Sequence, residues 1–194
     1  IMTYICYRGI EVSARLQYGL LGIEVLVLIV FSIIALVKVY SGNAPEGYET
    51  PSLDWLWPSG LSLSAIVTAT LIAVFIYWGW DTAVSINEET SDPEKTPGRA
   101  AIISTLLLLV TYAIVSVATV AFAGTGDTGL GLANPENSDD VFSAIGPTVF
   151  GPSFLGKVME ILLILSVLSS AAASTQTTIL PTARTTLAMG AFKA

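Results

Sequence analysis

The sequence contains no histidine and one cysteine, Cys6, and only 12% of its residues are charged. Each shortage removes a class of protein. Without histidine there is no imidazole base and no histidine metal site, and a lone cysteine makes neither an internal disulfide nor a thiolate cluster. No phosphate-binding loop and no nucleophile with an adjacent base is present, so nothing points to an enzyme or calls for a cofactor. Bases are scarcer than acids, 8 against 15 for a formal charge of −7, and no basic patch offers a nucleic-acid surface. Soluble domains carry about 25% charged residues. At 53% hydrophobic residues and a mean hydropathy of +0.74, this chain is expected to be a multi-pass integral protein of the cell membrane, with the lipid bilayer as its solvent. It starts Ile1-Met2-Thr3-Tyr4 inside an apolar segment, with no charged start or signal peptide, and stops at Ala194 just after a base. Both ends read as cuts, so a piece of a longer membrane protein is expected.

Four apolar stretches are long enough to span, at about 16–40, 61–86, 99–123 and 153–180. Residues 1–7 read as the tail of a preceding helix. Turns at 8–15 and 87–98 and loops at 41–60 and 124–152 join the spans. The loop at 41–60 is rich in proline and glycine, and its Trp55 and Trp57 lie beside the point of re-entry, as interfacial aromatics do. In the loop at 124–152, Asp139 to Ile145 reads as a short helix capped by Ser138 or Asp139. Arg8, Arg15, Lys95, Arg99, Arg184 and Lys193 fall on one side of this arrangement, and only Lys38 and Lys157 fall toward the other. By the positive-inside rule, the turns at 8–15 and 87–98 are cytoplasmic. The two outer loops then hold seven acids and no base.

The second span carries an insert that a lipid-facing helix has no use for. Phe75-Ile76-Tyr77-Trp78-Gly79-Trp80-Asp81 sets four aromatics around a glycine and ends on a carboxylate. An aspartate inside a span costs roughly 2.5–3.5 kcal/mol on insertion scales. Glycine among bulky rings is where a helix can open, and opened backbone in a membrane must line a cavity. A broken helix with a binding site at the break fits this spacing. An intact helix with packing or interfacial aromatics fits it too.

Three further polar features stand inside the spans. Glu24 lies nine residues from Arg15, about 13 Å along a helix and so near mid-membrane. A carboxyl there is neutral and hydrogen-bonded, paired, or at a cation site. Asp81 is five residues from the polar turn, close enough to reach water, or else in the first turn of a restarted helix. On the fourth span Ser166, Ser170, Ser174 and Thr177 share a face, joined by Ala171, Ala172 and Ala173. That stripe serves close helix packing or supplies hydroxyl oxygens to a small cation or substrate. Lys157 and Glu160 read as an intrahelical pair, and Pro181 is expected to bend the end of its helix.

The residues from Phe75 through Asp81, followed by Asn87-Glu88-Glu89-Thr90-x-Asp92-Pro93 and Thr96-Pro97-Gly98-Arg99-Ala100, resemble the sixth-helix signature of the amino acid–polyamine–organocation (APC) permeases. Gly9-Ile10-x-x-Ser13-Ala14-Arg15-x-Gln17 and Ala183-Arg184-Thr185-Thr186-Leu187-Ala188-Met189 are similar to segments flanking the fifth and eighth helices of that family. The resemblance covers the whole chain. It implies an all-α transmembrane fold of the inverted-repeat type, with residues 1–194 forming part of a transporter domain and supplying its fifth to eighth helices, the second of the four discontinuous. It implies secondary transport of amino acids or related amines by alternating access, as symporter or antiporter. Phe75, Ile76, Tyr77, Trp78 and Gly79 would form the substrate site. Main-chain carbonyls around Phe75, Ile76 and Trp78 would take the substrate ammonium, and Phe75 would close over it. Glu24, Asp81, Ser170 and Ser174 would serve proton or sodium coupling. Glu24 stands near a position where some proton-coupled members hold lysine, which leaves the coupling ion open. The glycine-rich first helix that holds the substrate carboxylate in this family is absent, so the remaining helices of a parent permease are expected partners. A non-transporting scaffold or assembly subunit is the reading from another class, and a channel, for which no ring of pore charges is visible, is a third.

Overall fold

The computed structural model describes residues 2–8, 10–57, 60–76 and 90–192. All regular structure among them is helical: α1 (Met2–Tyr7), α2 (Ile10–Tyr40), α3 (Leu63–Ile76), α4 (Thr96–Ala123), α5 (Val141–Phe150) and α6 (Phe154–Phe192), with 3-10 turns at Leu53–Leu56 and Pro135–Asn137. Among the described residues three helices are long and apolar enough to cross a membrane, over Ala14–Tyr40, Thr96–Ala123 and Phe154–Ala191. At 1.5 Å per residue, the 31 residues of α2, 28 of α4 and 39 of α6 run about 46, 42 and 58 Å, against a hydrocarbon core of about 30 Å. The apolar residues of α2 and α4 go round the whole circumference, the pattern of a helix in lipid or a bundle interior. The described part of the second expected span is α3, whose 14 residues are about 21 Å long.

Two compact units divide these elements. One comprises Ile10–Ser52 and Thr111–Ala173, the other Ile1–Gly9, Leu53–Val110 and Ser174–Ala194. The hydrophobic core belongs to the first. Val27, Phe31, Ala35 and Val39 line one face of α2 at steps of four, and Ala118, Ala121 and Phe122 of α4, Ile145 and Val149 of α5 and Leu163 of α6 close around them. Small residues on α4 let the backbones approach, which is how helices associate where lipid is as apolar as the side chains.

The short helix expected within 139–145 lies at Val141–Phe150 instead. Its cap is Asp140, whose carboxylate accepts from the Ser143 N–H at 3.0 Å, a residue beyond either candidate. The helix also passes through Gly146 and Pro147. Packing explains this. A Cβ on Gly146 would meet Leu163 Cδ2 at 3.4 Å and Glu160 Cγ at 3.8 Å, so the bare glycine allows α5 to seat against α6. Phe142 and Phe150 flank the Phe31 ring edge-on, with centroids 5.4 and 6.1 Å away.

The connections of this unit are stitched to its helices. The Glu49 N–H donates to the Ala121 carbonyl at 2.8 Å, supplying one of the orphan acceptors at the end of α4. Leu132 N–H and Ala133 N–H donate to the carbonyls of Gly124 and Gly126. Gly124 has φ +69°, and a Cβ there would collide with the carbonyl oxygen of Gly47. Buried Asn137 donates through Nδ2 to the carbonyls of Gly129 at 2.9 Å and Gly131 at 3.2 Å.

The second unit contains α1, the Leu53–Leu56 turn, α3, the first half of α4 and the last part of α6. Cys6 Sγ lies 3.8 Å from the Gln176 carbonyl, to which its S–H points, and the Gln176 side chain is fully buried. Helix α6 is helical through Pro181. On either side of that proline, Thr178, Thr182, Thr185 and Thr186 return their hydroxyls to carbonyls three or four residues earlier, the usual way a hydroxyl is satisfied inside an apolar helix.

Candidate functional site

Glu24 and Ser170 meet. Glu24 lies on the inner face of α2, seven residues before Phe31 and fourteen before Lys38, spacings that return to nearly the same side of a helix. Val27 and Phe31, just beyond it, are fully buried. From α6, the Ser170 side chain faces the Glu24 carboxyl. Ser170 continues the packed face of α6 that includes buried Leu163 and Ser166, the latter returning its hydroxyl to the Leu163 carbonyl at 2.6 Å. A half-buried carboxyl in the middle of a long apolar helix therefore has a hydroxyl facing it from a neighbouring helix. Such an arrangement holds a proton in its neutral form, and presents an anion with one hydroxyl oxygen beside it when charged.

Other expected site residues are distributed differently. Phe75 and Ile76 close the described part of α3 and are 67% and 45% exposed. Tyr77, Trp78, Gly79 and Asp81 lie outside the described residues, and so does the expected opening of the second span. Ser174 belongs to the unit that does not contain Glu24. Its carbonyl accepts from the hydroxyls of Thr177 at 3.0 Å and Thr178 at 3.2 Å. Among the described residues no group of three or more His, Cys, Asp or Glu is placed to hold a metal ion.

Sequence reasoning missed Lys38. Its ammonium donates to the Thr148 carbonyl at 2.7 Å, one of the last carbonyls of α5, where a cation meets both an orphan acceptor and the negative end of the helix dipole. A signal was available in the Glu24, Phe31, Lys38 spacing, which sets the lysine on the packed face of α2. Lys157, the other base at this end, pairs with Glu160 at 3.0 Å as the sequence suggested.

Long apolar helices, closed by small residues and carrying a carboxyl on an interior face, define a multi-pass helical membrane protein. The chain belongs to the amino acid permease family, which matches residues 1–182. Its relatives are permeases and transporters rather than enzymes. It is 27% identical over 115 residues to the branched-chain amino acid permease BcaP of Bacillus subtilis, an alignment covering 59% of this chain and 22% of that protein. To the low-affinity methionine permease of Saccharomyces cerevisiae it is 25% identical over 122 residues, covering 61% of this chain and 22% of the relative. To the Asc-type amino acid transporter 1 of Mus musculus it is 26% identical over 119 residues, again 61% and 22%. The match thus spans about a fifth of the length of these relatives. No solved structure matches.

Proposed function

We propose that the full-length protein to which this chain contributes is a secondary transporter of amino acids, working by alternating access in the cell membrane. Family membership supports the transport reading, and the Glu24–Ser170 contact is the single observation that carries its coupling. A half-buried carboxyl between two helices changes the cost of bringing those helices together when it gains or loses a proton. Glu24 is the coupling group in this reading, with Ser170 its partner; Asp81 and Ser174 remain separate candidates for the same role. A proton or a sodium ion is the coupled species.

The substrate site in this reading is 75–79, whose main-chain carbonyls would receive the substrate ammonium while Phe75 closes over it. Two of the relatives are named for branched-chain amino acids and for methionine. Phe75, Ile76, Tyr77 and Trp78 would suit such apolar side chains, and helices from outside this chain would complete the pocket.

The test is uptake of labelled leucine and methionine into proteoliposomes containing the full-length protein, at several external pH values. Uptake driven by an ion gradient, with its pH dependence flattened in Glu24→Gln, is the expected result. An unaltered pH profile in that variant removes Glu24 from proton coupling. Absence of uptake or exchange for any amino acid returns the scaffold reading.

A further inference from the structure

The 3-10 turn at Leu53–Leu56 exposes large apolar side chains where a connection should be polar. Residues 41–52 before it are mostly glycine, proline, serine, threonine and acids. Four of the next five residues are then Leu53, Trp55, Leu56 and Trp57. Leu53 is 84% exposed, Leu56 77% and Trp57 74%, and the turn buries none of its residues. A 3-10 turn has three residues per repeat, so Leu53 and Leu56 stand one above the other on the same side. The Trp57 N–H donates to the Asp54 carbonyl at 3.0 Å. The apolar group is thus displayed by closed backbone.

Helix α3 begins six residues further on and supplies the level. Ser62 caps it, its hydroxyl accepting from the Ala65 N–H and its carbonyl from the Ile66 N–H, each at 3.1 Å. A capped first turn marks the helix end that returns to polar surroundings, and Leu61 and Leu63 beside it are exposed. The turn and the start of α3 belong to the same compact unit. The turn and the first residues of a helix in an expected membrane span thus both present exposed apolar side chains. Tryptophan at that level belongs to the headgroup boundary.

We propose that Leu53, Leu56 and Trp57 form a foot seated in the bilayer surface at the N-terminal end of α3, its occupant being lipid at the boundary of headgroups and acyl chains. The charge pattern specifies the lipid further. Residues 41–60 contain Glu46, Glu49 and Asp54 and no base, so the foot is held by apolar insertion, and anionic headgroups add nothing to it. This inference does not depend on what the protein transports.

A nitroxide at Leu56→Cys, in the full-length protein in bilayers with Cys6 and every other native cysteine replaced, tests it, with Ser52→Cys as reference. Power saturation is read with dissolved oxygen and with a water-soluble nickel chelate, in phosphatidylcholine and again with phosphatidylglycerol added. Position 56 should collide preferentially with oxygen, position 52 with nickel, and the ratio at 56 should be the same in both lipids. Nickel access at 56 equal to that at 52 would place the turn in water and overturn the foot. Low collision with both reagents would put protein over it and overturn it equally. A ratio at 56 that rises with phosphatidylglycerol would defeat insertion by apolar contact alone.

Discussion

Three side chains on α2 at seven-residue intervals do three different things. Glu24 faces Ser170, Phe31 is clasped by two rings of α5, and Lys38 caps the end of that helix. Lys38→Met should release the Thr148 carbonyl and lower stability by about 1 kcal/mol, the scale of one exposed charged cap. Lys38→Arg should retain most of it, because a guanidinium also reaches a single carbonyl acceptor. Thermal unfolding of the purified protein in one detergent compares the three. Glu24 was legible in the sequence because a carboxyl interrupts an apolar run, and Ser170 because helical spacing put it on a stripe. The Lys38 acceptor was not legible. It is 110 residues away, and a backbone carbonyl carries no side-chain signature.

At the scale of elements, α5 is where local rules and tertiary packing disagree. Gly146-Pro147 is a breaker signal in an isolated sequence, and Pro147 removes the donor that would reach the Ser143 carbonyl. The helix continues because its apolar side has Phe31 and Leu163 to pack on, and because the glycine lets it come close. Its start follows a local rule, since one of the consecutive acids caps it, but which acid depends on the backbone. Asp140 has the extended φ of −152° and ψ of 85° from which a cap can reach forward. Asp140→Ala should cost about 1 kcal/mol and speed amide exchange at Ser143 selectively, while exchange around Val149 changes little. Equal acceleration at both would mean that the whole helix depends on the cap.

For the molecule as a whole, length and hydropathy made three spans legible, and α2, α4 and α6 each exceed the membrane thickness. Their order in the bilayer rests on the proposed charge pattern, with Lys95, Arg99 and Arg184 on one side and the acids of 41–60 and 124–152 on the other. Single cysteines at Ser138 and Glu94, in the full-length protein with Cys6 and every other native cysteine replaced, should react with a membrane-impermeant maleimide from opposite faces of sealed cells and inverted vesicles. Labelling of both from one face would mean that α4 does not cross the membrane between them. The division into two units was not visible in the sequence. Helices α4 and α6 are each one unbroken helix, yet each gives one part to the unit that holds the core and the rest to the second unit.

Loops between helices ordinarily absorb gains and losses of residues. Here that latitude is gone at one crossing. Glu49 is bound to the end of α4, and Gly47 lies so close to Gly124 that a methyl group has no room between them. An epitope inserted at Gly47 or Gly124 would have to part the two connections. At Asp127 or Thr128, both exposed on the bend beyond, the same tag could loop outward and leave the seam closed.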